Sequence, residues 1–278
     1  MPELPEVQAH AERLTDDFAG AVLRRFEPLS FTVLRTYAPA PEVAVGATLE
    51  TVGRRGKLLL LRFEPLTFVV HLMQGGRLRP DPKQSAKPRG GIARWRFDDG
   101  RALLLTEPGT ERKAGVWAIS GDPLTQEPLA DLGPEADAIS LDDLRARLGA
   151  VSMRVHGFLR DQGHLAGIGR RLANEVCHRA HLSPFASTSK LSDDEVRRLH
   201  DAIGTLISES LEFERGQDEM VRSADRPGAV HNRVGEACPT CGDTVRSVEY
   251  RAYTVAYCPT CQTGGKVLAD NTTSKFLK

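Results

Sequence analysis

Both ends of this chain of 278 residues carry side chains whose type and spacing suit chemistry. Near the carboxyl end, Cys238-Pro-Thr-Cys241 and Cys258-Pro-Thr-Cys261 are separated by 16 residues, inside the window of a four-cysteine zinc ribbon. Each Cys-x-x-Cys knuckle places two thiolates on one side of a tight turn, so that four sulfurs surround one Zn²⁺ tetrahedrally. Four filled positions leave no site for an activated water, and the expected role is structural, with one zinc per chain. Redox dithiols or stray thiols are the alternatives. The fifth cysteine, Cys177, falls on a predicted helix and reads as a small buried hydrophobe.

The amino terminus reads Met1-Pro2-Glu3-Leu4-Pro5-Glu6-Val7. A methionine before proline is normally removed, and its cleavage exposes the secondary amine of Pro2 with the carboxylates of Glu3 and Glu6 in immediate reach. An α-amino group titrates at about 7.7 to 8.0, far below lysine, so a useful fraction is a free nucleophile at neutral pH. Such an amine condenses with a sugar carbon to give a cationic Schiff base. A retained Met1 would block it. The same segment lacks the basic and apolar regions of a secretory signal, and no apolar run approaches the roughly 20 residues a bilayer needs. The expected setting is the cytoplasm, where thiols stay reduced and cysteines favour metal over disulfide.

The elements that must position these groups follow from composition and periodicity. The chain is 40% hydrophobic and 27% charged, a globular composition that excludes disordered and low-complexity classes, and its length suits two domains. Lys plus Arg and Asp plus Glu balance at 37 each, yet residues 54–113 hold 14 basic against 6 acidic side chains and residues 114–150 hold 2 against 7. A local basic footprint can serve a polyanion even when the whole is neutral; the alternative is a solvated surface with chance clustering. After an amphipathic start (Val7, Ala11, Leu14, Phe18), residues 22–119 read as successive short strands, including Leu58-Leu59-Leu60-Leu61, Phe68 to Leu72, Trp95-Arg96-Phe97 and Leu103-Leu104-Leu105, which implies a β-sandwich or barrel. Residues 121–134 are the candidate linker. Helices are expected from Ser140 as an N-cap, over 168–180, and over 193–212 capped by Ser192. Between the cysteine pairs, Val245, Val248, Tyr250 and Val255 alternate imperfectly with Arg246, Arg251 and Thr254, a hairpin able to present basic and aromatic groups to a groove.

Taken together, four parts in this order resemble the formamidopyrimidine-DNA glycosylase and endonuclease VIII family of base-excision repair enzymes. They are the Pro-Glu-Leu-Pro-Glu-Val start, Arg54-Arg55-Gly56-Lys57 followed by apolar residues, Gly167-Ile168-Gly169 through Glu175, and the four-cysteine finger. The resemblance covers essentially the whole chain. It implies an α+β fold: an N-terminal β-sandwich catalytic domain over 1–133, a helix-two-turns-helix DNA-binding domain over 134–232, and a zinc finger over 233–278.

The resemblance also implies roles. Pro2 would attack the anomeric carbon of a flipped, damaged nucleotide, expel the base and leave an iminium, after which elimination nicks the strand. Glu3 would be the acid/base, a task for a carboxylate with a raised pKa. Glu6 matches a second acidic position that arranges the site, with a helix N-terminal charge as its alternative. Lys57 matches a phosphate-contacting lysine. The turn ending in Gly169 would offer backbone N–H groups to a phosphate, and Glu175, which closes the motif, would be structural.

Several positions depart from the family. Arg170, beside Arg171, replaces the asparagine that follows the glycine turn; it adds charge and can bind phosphate in a bidentate manner. The family's purine-lesion members fill the gap left by the flipped base with Met, Arg and Phe; here Gln74 stands at the Met position with Met73 one residue early, Arg112 keeps the Arg, and Ala114 replaces the Phe. By counting between cysteines, the finger-tip arginine falls on Tyr253, with Arg251 two residues earlier as its candidate substitute. Residues 215–232 correspond by position to a lesion-capping loop, and His231, Asn232 and Arg233 are candidate DNA contacts.

The expected function is therefore a bifunctional DNA glycosylase and AP lyase acting on damaged, oxidised bases, a monomer that is cytoplasmic and associates with the nucleoid when bound to DNA. The alternative is a damaged-DNA or nucleic-acid binding protein of the same fold without glycosylase activity. A zinc-ribbon module with no nucleic-acid partner is poorly matched to the basic 54–113 region, and salt dependence separates it, because phosphate contacts weaken with log salt.

Overall fold

The computed structural model describes residues 1–109, 112–222, 224–250 and 253–268. The chain divides into two compact units, Met1–Asp131 and Leu132–Lys278.

The first unit opens with helix α1 (Leu4–Phe18), whose Leu4, Val7, Ala11, Leu14 and Phe18 form one buried stripe, the i, i+3/i+4 spacing of an amphipathic helix. Eight strands follow: β1 (Leu23–Pro28), β2 (Leu49–Arg55), β3 (Leu58–Phe63), β4 (Leu66–His71), β5 (Arg77–Pro80), β6 (Gly91–Phe97), β7 (Ala102–Thr106) and β8 (Gly115–Ser120). They pair antiparallel into two sheets of four, ordered β1-β6-β7-β5 and β2-β3-β4-β8. Rings from both sheets meet between them: Phe26 on β1 and Trp95 on β6 lie 5.2 Å and 5.7 Å from Phe68 on β4, and 5.0 Å from each other. This is the expected sandwich. The unbroken Leu58–Leu61 run is explained by burial on both faces, because α1 covers β2 and β3 from outside while the register sets Leu61 beside Phe68 on the inner face.

The second unit contains α2 (Leu141–Gly149), α3 (Val155–Arg160), α4 (Arg170–Arg179), α5 (Asp193–Arg215), the hairpin β9 (Arg246–Tyr250) and β10 (Tyr253–Tyr257), and the short α6 (Pro259–Thr263). Ser140 caps α2 by accepting the Asp143 N–H, and Ser192 with Glu195 forms a capping box on α5. Helix α4 packs against α3, α5, β10 and α6 and buries both its apolar Leu172, Ala173, Val176 and Cys177 and its polar Arg171, Asn174, Glu175 and His178. The sequence places its start at 168, two residues early: Gly167 is left-handed at φ +105° and Gly169 is the extended N-cap. Helix α5 runs to Arg215, past the expected end near 212. Helix α3, six residues long with Gly157 inside it, has too short a period to be read from sequence. The stretch 121–134 contains a 3-10 turn at Pro123–Thr125 and the break between the units. Among the described residues no helix is long and apolar enough to cross a membrane.

Candidate nucleic-acid interface and metal centre

In the first unit Pro2 is buried and precedes Glu3, the N-cap of α1, itself only 3% exposed. The Glu3 backbone N–H donates to the Glu6 carboxylate at 2.5 Å within a capping box, which satisfies a donor that a helix start otherwise leaves unpaired. Glu6 is fully buried, so its carboxylate sets the geometry of the residue that follows Pro2. Lys57 lies in the turn between β2 and β3 and is buried. Arg54 ties that turn to α1: its Nε donates to Gln8 Oε1 and its guanidinium to the Gly56 carbonyl, both at 3.1 Å. Farther along the helix, Val52 donates its N–H to Thr15 Oγ1 at 2.9 Å.

His71, at the end of β4, is held down to about pKa 4 first by burial and then by the positive charge of Lys57. At neutral pH its ring is therefore uncharged, and Nδ1 accepts the Met73 N–H at 3.2 Å. The following loop is closed by Gly76 N–H donating to the Leu72 carbonyl at 2.8 Å; a Cβ on Gly76 would stand 2.1 Å from that oxygen, so only glycine fits. Of the candidate gap fillers, Met73 is half-buried with φ +51°, while Gln74 and Arg112 are exposed. Ala114 is buried, its N–H donating to Glu107 at 2.7 Å.

In the second unit the glycine turn is braced by Gln162, a residue that no motif or spacing singles out. Its Oε1 accepts the Gly167 N–H at 3.0 Å, and its amide donates to the carbonyls of Arg160 at 2.8 Å and Ile168 at 2.9 Å. Arg170 is half-buried at the first helical position after Gly169, and Arg171 reaches Ser210 Oγ at 3.3 Å. The Glu175 carboxylate accepts three backbone N–H groups, from Ala229, Val230 and His231, at 2.7 to 3.1 Å. Asn174 Nδ2 donates to His231 Nδ1 at 2.9 Å. At the other end of this segment Glu214, fully buried, pairs with Arg226 at 3.0 Å and accepts the Val221 N–H at 3.3 Å. Residues 215–232 are thus anchored to both α4 and α5. Neither Glu214 nor Asn174 carries a local signal; their partners lie 12 and 57 positions away.

The four finger cysteines come together. Their Sγ atoms all lie within 4.8 Å of one another, with Cys238 to Cys261 at 3.9 Å and Cys241 to Cys258 at 3.4 Å. An ion holding four thiolates at about 2.3 Å in a tetrahedron needs sulfur spacings of about 3.8 Å, so this donor set fits a metal ion. Burial works against ionising Cys238, but backbone N–H groups of Thr240 and Cys241 and the His178 ring hold it down to about 6; burial and the neighbouring thiols push Cys258 up to about 11. His178 on α4 stands 3.3 Å from Cys238 Sγ. Gln262 Oε1 accepts the Cys258 N–H at 2.8 Å while its amide donates to the Leu182 carbonyl at 2.9 Å, fastening the second knuckle. Cys177 is buried and its thiol is pushed up to about 12 by that burial, as a structural cysteine should be. Tyr253 opens β10 opposite Tyr250, and Arg251 lies outside the described residues.

Comparison with known proteins finds two family matches in sequence order. Residues 1–117 match the family described as the formamidopyrimidine-DNA glycosylase N-terminal domain, and residues 129–221 the formamidopyrimidine-DNA glycosylase H2TH domain. Formamidopyrimidine-DNA glycosylase of Symbiobacterium thermophilum is 30% identical over 277 residues, covering 94% of this chain and 89% of that one. An uncharacterized formamidopyrimidine-DNA glycosylase-like protein of Mycobacterium tuberculosis is 43% identical over 156 residues, 55% of this chain and 98% of that one. Among solved structures, the MutM (Fpg) protein of Thermus thermophilus superposes with a TM-score of 0.81 at 29% identity, covering 96% of this chain and all of that one. A Lactococcus lactis Fpg mutant complexed with Fapy-dG containing DNA gives 0.84 over 94% of this chain and all of that one; at 21% identity it speaks to the fold alone. With both domain matches in sequence order and relatives aligned over nearly its whole length, the chain belongs to the formamidopyrimidine-DNA glycosylase family.

Proposed function

We propose that this protein is a monomeric, cytoplasmic DNA glycosylase with AP lyase activity that excises damaged, oxidised bases, and that Pro2, freed of Met1, is its nucleophile. The observation that carries this reading is the start of the chain, where Pro2 directly precedes a buried Glu3 locked at the capped first turn of α1. Pro2 nitrogen forms a bond to the anomeric carbon as the bond from that carbon to the base breaks, and the base leaves with a proton. The amine loses its proton, the ring oxygen takes one, and the bond from the anomeric carbon to that oxygen breaks, which leaves an iminium to the opened sugar. Removal of a proton from the adjacent sugar carbon then expels the phosphate, which cuts the strand. Glu3 is the group suited to give and take these protons, Glu6 positions it, and Lys57 supplies fixed positive charge beside the neutral His71 for a phosphate.

DNA contacts are assigned to Lys57, to the Gly169 and Arg170 turn, and to Met73, Gln74 and Arg112 as fillers of the space left by an extruded base. Arg251 keeps its place as a candidate from the sequence. The ion of the cysteine centre is Zn²⁺, for which four thiolates are the preferred structural set; it holds the finger over residues 233–278 and takes no part in the reaction. One position favours the alternative of a binder without catalysis: Arg170 where the family has asparagine.

Borohydride trapping on an abasic duplex decides between them, using protein whose intact mass shows Met1 removed. A covalent protein–DNA band that weakens in Pro2→Gly and falls in Glu3→Gln is expected. Tight binding with no trapped band from protein with a free Pro2 would leave the binder.

A further inference from the structure

The finger hairpin meets the helical part of the second unit through a ladder of rings and guanidinium groups. The Arg154 guanidinium carbon lies 5.0 Å from the Phe185 ring centre and 5.9 Å from that of Tyr250, and the same guanidinium donates to the Tyr250 hydroxyl. Tyr250 and Tyr253, cross-strand partners at the end of the hairpin, stack at 4.8 Å with planes 15° apart. Arg160 closes the ladder with its guanidinium carbon 4.1 Å from the Tyr253 centre. Arg154 is the N-cap of α3 and Arg160 its last residue, so both cations come from one short helix.

Charge balance separates these two arginines from others in the same unit. Arg145, Arg179, Arg226 and Arg233 each meet a carboxylate within 3.2 Å. Arg154 and Arg160 meet none among the described residues. A ring face orients a guanidinium through its quadrupole without cancelling its charge, and the N–H donors in the guanidinium plane other than the one Arg154 gives to Tyr250 are of the kind that pair with an anion. Arg154 is exposed, and Arg160, Tyr250, Tyr253 and Phe185 are half-buried, so the ladder has a solvent edge. Two preoriented cations on α3 beside the finger hairpin, with no carboxylate to satisfy them among the described residues, match a polyanion with regularly spaced charges.

We propose that Arg154 and Arg160, splinted by Phe185, Tyr250 and Tyr253, bind backbone phosphates of the DNA strand, so that the finger tip supplies aromatic supports and α3 supplies the charge. The assignment rests on the DNA-directed reading above. It accounts for Tyr253 at the tip: the ring is the seat of Arg160.

The test is equilibrium binding of the metal-loaded, full-length protein to a duplex carrying a stable abasic-site analogue, followed through a salt series. Arg154→Gln and Arg160→Gln should each weaken binding about tenfold at moderate salt and reduce the slope of log affinity against log salt by about 0.9, the change expected when one phosphate is no longer neutralised. Tyr253→Leu should lower affinity through misorientation of Arg160, Tyr253→Phe should not, and Arg160→Lys should restore the slope while recovering only part of the affinity. Melting temperature and metal content are measured on every variant. An unchanged salt slope in both glutamine variants would reduce the ladder to a staple between α3 and the finger and overturn the proposal, as would an equal fall in slope for Arg160→Lys. Wild-type protein that does not bind the duplex at any salt sinks the glycosylase reading along with it, whereas wild-type binding and trapping with insensitive arginines sinks only this assignment.

Discussion

Glu175 accepts three backbone N–H groups from one turn of chain, and an ionised acceptor makes each of those bonds stronger than a neutral one would be. Glu175→Gln turns one acceptor oxygen into a donor facing a donor, at a site only 4% exposed; the expected loss is about 2 to 4 kcal/mol in urea unfolding, with faster proteolysis at residues 228–232. His10 makes a different prediction. Its pKa is lowered to about 4, chiefly by burial and against the pull of its bond to the Leu78 carbonyl, with Arg13, Arg77 and Arg79 adding to the depression. The unfolded chain binds this proton below about 6.5 and the folded chain does not until about 4, so stability falls as pH drops through that window, by on the order of 3 kcal/mol. His10→Gln can still donate to Leu78 but cannot titrate, and its unfolding midpoint should lose less between neutral pH and the lower edge of the window than wild type does. An equal loss in both proteins would mean that His10 is not the group responsible. Of the residues that sequence singles out, Pro2, Glu3 and the four cysteines stand out by position or spacing, and Lys57 by the family resemblance. Gln162, Asn174 and Glu214 do not, because what gives each its role is a partner brought near only by the fold.

Helix α4 gathers several tasks in ten residues. Its start follows the glycine turn, its middle holds the 229–231 segment through Asn174 and Glu175, and its end reaches the four-cysteine cluster through His178. A ring donor to a thiolate orients that ligand, and loss of such partners lowers metal affinity by about tenfold to a hundredfold. His178→Ala is therefore expected to release metal to a competing chelator at least about tenfold more readily, while His178→Gln, which retains a donor, should fall between. Sequence patterns expose elements of this size unevenly. The Leu58–Leu61 run and the Ser140 and Ser192 caps mark their elements because burial and capping are local rules. Helix α3 escapes, since six residues hold less than two turns, and with it escapes the cation ladder that α3 carries.

At the scale of the molecule a net charge of zero conceals two differently built units. The first is a sandwich held by rings between sheets; the second is helical, and its finger has a small buried cluster around Val230, Cys238, Val245, Ala256 and Cys258. So small a core leaves much of the finger's stability to an ion held by the four cysteines, which the proposed function assigns as Zn²⁺. Removing the ion should raise hydrogen exchange across β9 and β10 and then at residues 229–231, while exchange in β3 and β4 stays as it was; a matching rise in β3 and β4 would contradict this. Domain order and finger were legible in the sequence because strand runs and cysteine pairs are spaced along the chain itself. Both tryptophans, Trp95 and Trp117, belong to the sandwich, and three of the four tyrosines, Tyr250, Tyr253 and Tyr257, belong to the finger hairpin. The protein thus has its own two-colour optics: indole emission follows the half that bears Pro2, and phenol absorbance chiefly follows the half that bears the four-cysteine cluster, with no label attached to either.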